Sequence, residues 1–515
     1  MTFTPAPPVP PTLPPQPSET AIGRSTVDRS PIPRATLIAA LIAGIVGAIC
    51  WRIGELGIGT TITGLTVLAA VIGTAPEAFR RDERSYWVPL TVGIAGLLIV
   101  PSVLDADWVR GLCLFVAVCA GLLLFVRAHN LTGVAVAAFA PFVAPFFAVA
   151  EPFRRRSAPE AGKAGSPSAP TMSRTRRTLL IGAVSAVTLL LLLVFGALFA
   201  GADPTFGKLF DFDWNFSISG ELVAALFAGL FIAWVSLTGS VLAHAQFSYP
   251  ESARRRYPPV WTWAVPIGAV LALFVLFLGM QARAMFGGDD YVQRTANLSY
   301  SQYAVRGFWQ LLVVTLLVIL VATVAWWFID ADDARHRRAA RLLLGGLCAA
   351  TLLVVVSAFG RMERYINAYG ATRDRVFGLY FEVFLAAVII AIMVVGIRFD
   401  ARPLVRRVIL LTVFSALGLA LLNPDRMIAK TNVDRAIAAP DATPKVDDWY
   451  LGSLSADAYG QLQRLPEPAK ACATWRFHRR YQATHSWRSS NLSLHRVPRQ
   501  QVPDQGPGDC GSFSY

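Results

Sequence analysis

The chain has 515 residues, 54% of them hydrophobic and only 16% charged, with a mean hydropathy of +0.49. A soluble domain carries about a quarter charged residues, so the composition excludes a water-soluble globular protein and points to the bilayer as partner. The net charge of +14, from 47 Lys and Arg against 33 Asp and Glu, then reads as a topological signal, and no nucleic-acid partner is expected.

The chain opens on a stretch in which residues 1–33 hold 10 of the 33 prolines. Such a segment cannot bury enough apolar surface to build a core, so 1–34 is expected to be a disordered Pro-rich cytoplasmic tail. It lacks the pattern of a removable signal peptide, and the first apolar run is expected to act as an uncleaved anchor.

A helix of about 20 apolar residues crosses the roughly 30 Å hydrocarbon layer. Eleven runs of that order follow: 35–51, 57–74, 86–104, 108–126, 178–202, 222–242, 260–282, 311–329, 342–360, 376–397 and 408–422. A twelfth, 131–150, carries Pro141 and Pro145, which remove backbone donors and mark it as re-entrant or interfacial. If it does not cross, the inner connections hold 22 Lys and Arg and the outer ones 10, which puts the N-terminus inside and the C-terminus outside. If it does cross, the first four spans turn over.

The predicted fold is an all-α polytopic transmembrane helix bundle of about 11 to 12 spans. A first bundle covers 35–150, and a basic linker, 151–177, is expected to touch anionic lipid headgroups on the cytoplasmic side. A second bundle of seven spans covers 178–422, and 423–515 forms a small extracytoplasmic tail, within which the segment 446–465 is long enough for one or two short helices, Ser455 or Asp457 being the candidate caps.

The chemistry of familiar sites is sparse. Cys50, Cys113, Cys119 and Cys348 fall in or beside spans, whereas Cys472 and Cys510 lie in the tail, where a disulfide between them would close its last segment. No His pair has the spacing of a metal site and no nucleotide loop occurs, so neither metal nor cofactor is expected. Of the outer acidic pairs, Asp105 with Asp107, Asp211 with Asp213 and Asp289 with Asp290, the second is the candidate for a transferase using a lipid-linked sugar.

Polar pattern gathers in three outer segments, 299–312, 359–382 and 422–436. Arg306 and Gln310 share a helical face in the first. In the second, Arg361, Tyr365 and Tyr369 recur every four residues, Gly370 can end the helix and Thr372 can cap the next. Arg306, Arg361, Tyr365, Tyr369 and Arg373 are the candidate collar for an anionic headgroup, lipid-linked precursor or solute, because arginine forks match phosphate and tyrosine suits the wet boundary. Glu382, the one acid well inside a span, sits about 9 Å below the start of its helix. It needs either a rim arginine (Arg361, Arg373 or Arg375) or a proton, the second making it a proton or cation relay.

The stretches YAVRGFWQL, RMERYINAYGATRDR, NPDRMIAKTNVDRA, DDWYLGSLSADA and SWRSSNLSLHR resemble a family of bacterial multi-pass membrane proteins catalogued as domain of unknown function 4173, with 4153 as its relative. The resemblance covers roughly 178–500, with Ala371 where the family often has Leu. It implies an integral protein of the bacterial cytoplasmic membrane and carries over no catalytic residue. The functional expectation is a binding or translocation role at the cell envelope. A lipid-linked-sugar transferase and a non-catalytic scaffold or sensor are the competing readings.

Overall fold

The computed structural model describes residues 27–29, 34–74, 84–126, 134, 137, 220–247, 257–286, 300–399, 403–439, 446–482, 486–498, 500–503 and 506–507. In chain order the elements are β1 (Val27–Arg29), α1 (Arg34–Cys50), α2 (Ile58–Thr74), α3 (Arg84–Val103), α4 (Asp107–Val126), α5 (Gly220–His244) and β2 (Ala245–Phe247). Then come α6 (Trp261–Phe286), α7 (Tyr300–Trp326), α8 (Ala334–Tyr369), α9 (Arg373–Arg398), α10 (Leu404–Leu422) and α11 (Pro424–Ala438). The tail adds α12 (Asp448–Gly452), α13 (Tyr459–Leu462), α14 (Ala469–Arg480) and α15 (Leu492–His495).

Every expected apolar run within the described residues is helical, because a helix satisfies its own backbone where no water can. Eight helices, α3 to α10, are long and apolar enough to cross a membrane. The expected 11 to 12 spans therefore stand at eight among the described residues: α1 and α2 are apolar but only 17 residues each, and 131–150 and 178–202 fall largely or wholly outside. One departure from an all-α fold is a small ribbon in which Val27–Arg29, part of the stretch expected to be disordered, pairs antiparallel with Ala245–Phe247.

On α1 the large side chains Leu37, Ile38, Leu41 and Ile42 are exposed while Ala40, Ala43, Gly44 and Gly47 are buried. In lipid the apolar exterior costs nothing, and association is driven by close van der Waals contact at small residues. Against α5 that contact is close: a Cβ on Gly44 would lie 2.7 Å from the Ala233 Cβ, and one on Gly229 would lie 2.8 Å from the Ala48 Cβ. The reciprocal pairing makes α1 and α5 antiparallel.

Three cores result. The first joins α2, α3 and α4 with the end of α5 and with α10, through Val241, Ile409, Val413 and Ala416. Packing thus runs across the 151–177 linker, and helices from both sides of it share one core. The second core is built from α6, α7, α8 and α9. The third lies outside the spans, where Ile428 and Val433 of α11 meet Leu451, Leu454, Leu462 and Phe477 of the tail.

Two chain reversals set up the site. Helix α8 has 36 residues, about 54 Å at 1.5 Å per residue, and so overruns the hydrocarbon layer. It stops at Gly370, whose φ of 84° is the left-handed conformation open to glycine, and where a Cβ would collide with Asn432 Oδ1. Thr372 sits at the cap position of α9 but its hydroxyl makes no cap bond there; Ser455 likewise heads the 3-10 turn 456–458 without a cap bond, its hydroxyl donating instead to Asp457. The Ile58 amide donates to Ser490 O (2.9 Å) and the Ala371 amide to Asn432 Oδ1 (2.8 Å). The connections 51–57, 104–106 and 370–372 therefore gather with the tail at one end of the bundle.

Candidate functional site

At that shared end three buried aspartates tie the tail to the helices. Asp457 Oδ2 accepts from the Asp105 and Ala106 amides (2.9 and 3.0 Å), while Asp105 Oδ2 accepts from the Ala456 amide (3.0 Å) and from the Tyr481 hydroxyl. Each loop thus caps the other. The remaining oxygens are filled as well: Asp457 Oδ1 by Ser493 Oγ (2.5 Å) and Asn423 Nδ2 (3.3 Å), and Asp105 Oδ1 by Asn491 Nδ2 (2.9 Å). Arg110, which heads α4, supplies charge 3.6 Å from Asp105 Oδ1 and donates to Leu56 O at 2.8 Å.

Asp425 in α11 is the third. It has no exposed surface and takes both prongs of the Arg373 guanidinium, Nε to Oδ1 at 3.0 Å and Nη2 to Oδ2 at 2.5 Å. The Trp108 indole (3.1 Å) and the Ser455 amide (2.9 Å) complete its shell. Burial alone would push the Asp425 carboxyl up, but Arg373, the Ser455 amide and the Trp108 indole together hold it below the usual carboxylate range. Burial, reinforced by the Asp105 charge, pushes the Tyr481 hydroxyl above the usual phenol range, and burial pushes that of Tyr450 up to about 12. The Tyr481 hydroxyl donates to Asp105, whereas the Tyr450 hydroxyl accepts from the Arg373 amide (2.7 Å). With every carboxylate oxygen occupied, this latch has no valence left for a ligand. Among the described residues no group of three or more His, Cys, Asp or Glu is placed to hold a metal.

The predicted collar divides. Tyr365 and Tyr369 do come together, ring centroids 4.8 Å apart, with Tyr369 39% exposed, and Arg361 lies half-buried one turn earlier on α8. Arg373 turns away into Asp425. The arginine that joins the tyrosines is Arg375, its guanidinium 4.3 Å from the Tyr365 ring centroid and donating to the carbonyls of Tyr369 (3.2 Å) and Gly370. Residues 373 and 375 are about 200° apart on a helix, so the two could never share one face; that geometry was the available signal. Arg306 lies in α7, and its side chain is outside the described residues.

Glu382 is fully buried in the second core. Its Oε1 accepts from Thr315 Oγ1 of α7 at a long 3.5 Å, and its Oε2 has no hydrogen-bond partner. With Arg373 on Asp425 and Arg375 on the α8 carbonyls, no ion pair reaches it among the described residues. Of the other predicted residues, Asp211, Asp213, Cys510 and the 151–177 linker lie outside the described residues. Cys472 is buried and disulfide-bonded, and the four cysteines of the spans are free.

In sequence Asp105 and Asp425 are acids at the ends of apolar runs, which is ordinary on a face poor in basic residues, and Asp457 is only a candidate helix cap. No curated protein and no solved structure matches the chain. The resemblance to domain 4173 resolves to its relative, and the match begins well before 178, so that α4, Asp105 and Arg110 fall inside it. The family model described as Domain of unknown function (DUF4153) matches residues 91–465, the greater part of the sequence, and the chain belongs to that family.

Proposed function

We propose that this membrane-embedded protein binds, and moves across or along the bilayer, an anionic lipid headgroup or small anionic solute of the cell envelope. The observation that carries the reading is the α8–α9 turn. There Arg375 is stacked on Tyr365, faces no acidic partner among the described residues and stands beside the exposed Tyr369. A guanidinium held by ring and carbonyls keeps donors in a fixed fork for a phosphate. Arg361, on the same α8 face, and Arg306 would extend the contact, while Arg373 serves to fix the turn through Asp425.

In this proposal the latched end faces out of the cytoplasm, the N-terminus is inside a bacterial cytoplasmic membrane, the 151–177 linker meets anionic headgroups, and Cys472 pairs with Cys510. Gathering of 51–57, 104–106 and 370–372 at the tail supports a common side for these connections, as the charge count requires. Thiol labelling of cysteines introduced at the exposed positions Tyr369 and Gln463 by an impermeant reagent in intact cells tests the side: both should react, and shielding until lysis overturns the assignment.

The ligand reading is tested with protein in phosphatidylglycerol-containing membrane discs. Native mass spectrometry should show retained anionic lipid on the wild type and several-fold less on Arg375→Gln. Equal retention overturns it.

A further inference from the structure

Among the described residues, Glu382 is a fully buried carboxyl with an oxygen that no donor fills, and it lies in the membrane, not in the latch. We propose that Glu382 is an exchangeable-proton site: it carries a proton at rest, and its loss drives a rearrangement between α7 and α9. The inference does not depend on the anionic ligand proposed above.

Three observations carry it. First, Glu382 has no exposed surface and lies about 14 Å along α9 from Arg373 at 1.5 Å per residue, well inside a span that runs from Arg373 to Arg398. Second, its supply of donors is poor. Thr315 reaches Oε1 at 3.5 Å and Oε2 is without a partner, whereas each oxygen of Asp105, Asp425 and Asp457 has at least one donor. Third, the charges that would neutralise it are committed elsewhere. On its own helix Arg373 is bound to Asp425 and Arg375 to the carbonyls of the α8 end, while Tyr380 receives the Ser415 hydroxyl of α10 at 3.1 Å. From the middle of α8 to its end the ionisable groups are Cys348, Arg361, Glu363, Arg364, Tyr365 and Tyr369, of which Tyr365 lies under Arg375 and Arg364 donates to Gly360 O; from α7 the polar neighbour among the described side chains is Thr315.

The ionised form would leave a full charge in the bilayer with one long hydroxyl contact. The neutral acid leaves a single weak O–H, so the proton rests on the carboxyl. When the proton departs to water, the carboxylate has to gain donors or a cation. The one proton of the Thr315 hydroxyl is shared with Leu311 O (3.0 Å), and at 3.5 Å from Oε1 the hydroxyl reaches full hydrogen-bond distance only if α7 and α9 move closer. Phe308 packs where a Cβ on Gly378 would sit 2.8 Å from its ring, so the same two helices are in contact one turn nearer the tail, toward the α8–α9 turn.

The test is an infrared pH-difference titration of the full chain in lipid, with Glu382→Gln as the control. The wild type should show a carbonyl band of a neutral carboxylic acid that disappears as pH is raised, and the Gln variant should lack it. Superposable spectra overturn the proposal. If Glu382→Gln does not fold, the wild type is treated with a hydrophobic carbodiimide, which takes the acid proton on nitrogen and the carboxyl oxygen on carbon before rearranging to a stable acylurea. Peptide mapping should find Glu382 modified, progressively less as pH rises. Modification absent, or independent of pH, overturns the proposal. Failure of the Arg375→Gln lipid experiment would leave both outcomes unchanged.

Discussion

Two regions of this molecule bury acidic side chains, and they do it in opposite ways. In the latch, Asp457 takes five donors, one from its own turn and four from three other segments, and Asp425 pairs with a forked arginine. In the membrane core, Glu382 has one hydroxyl at 3.5 Å. A buried carboxylate that is fully hydrogen-bonded rigidifies the loops it caps and is closed to further chemistry. One that is not so supplied is costly to keep charged and is free to exchange a proton. The donor shell, rather than burial or charge, separates structure from function here.

The comparison breaks most visibly if the latch carries no stability. Asp457→Ala orphans the amides of Asp105 and Ala106 together with three side-chain groups. At about 1–3 kcal/mol per stranded buried group, partly relieved by water, the loss should be of order 3–5 kcal/mol. The tail should become protease-sensitive at temperatures where the spans still resist, and Asp457→Asn should recover part of the loss. Arg373→Ala ranks next. It strands the Asp425 charge, but the arginine is 35% exposed and water can enter, so about 2–3 kcal/mol is expected. Lys in its place should restore charge without the bidentate geometry and recover less than half, as read from the melting temperature in detergent.

The spans were legible because a continuous apolar run has few other fates in a bilayer, and Gly370 was legible because α8 needs a left-handed residue to stop. The latch was not. Asp105 and Asp457 are 352 positions apart, and nothing local to either indicates a partner across the chain. The period of four foretells that the rings of Tyr365 and Tyr369 meet, while which of Arg373 and Arg375 joins them depends on where Asp425 lies. Packing of α5 and α10 with the first helices was equally hidden, since Gly44 and Gly229 look like any small residues until their backbones meet.

That contact gives the third prediction. Gly44→Leu drives a side chain into Ala233 and the Gly229 carbonyl, and overpacking of this kind costs about 1–3 kcal/mol. Loss should appear in the spans with the tail still protease-resistant, the reverse of Asp457→Ala. Smaller again is the response to acid. Asp425 is held below the ordinary carboxylate range, so its stabilisation is present above the unfolded value and lost as pH falls through the folded one. His478, pushed down from 6.5 by burial, acts in the same direction: the unfolded tail binds its proton first, so stability declines as pH drops below about 6.5. Relative to the intrinsic exchange rate at each pH, the protection of the α14 amides should therefore fall on acidification before that of α3 or α10 does.

The smallest expected effect is the sharpest test of the contrast. Glu382→Leu removes a carboxyl that the fold does not satisfy and replaces it with an apolar side chain of similar size. Thr315 keeps its bond to Leu311 O, so no donor is stranded, and stability should change by less than about 1 kcal/mol or rise. The same substitution in the latch, Asp457→Leu, should be as damaging as Asp457→Ala. Thermal unfolding of the two variants in one detergent compares them directly. If Glu382→Leu falls as far as Asp457→Leu, then Glu382 is braced by a donor set comparable to that of the latch, and both carboxyls belong to the structural class.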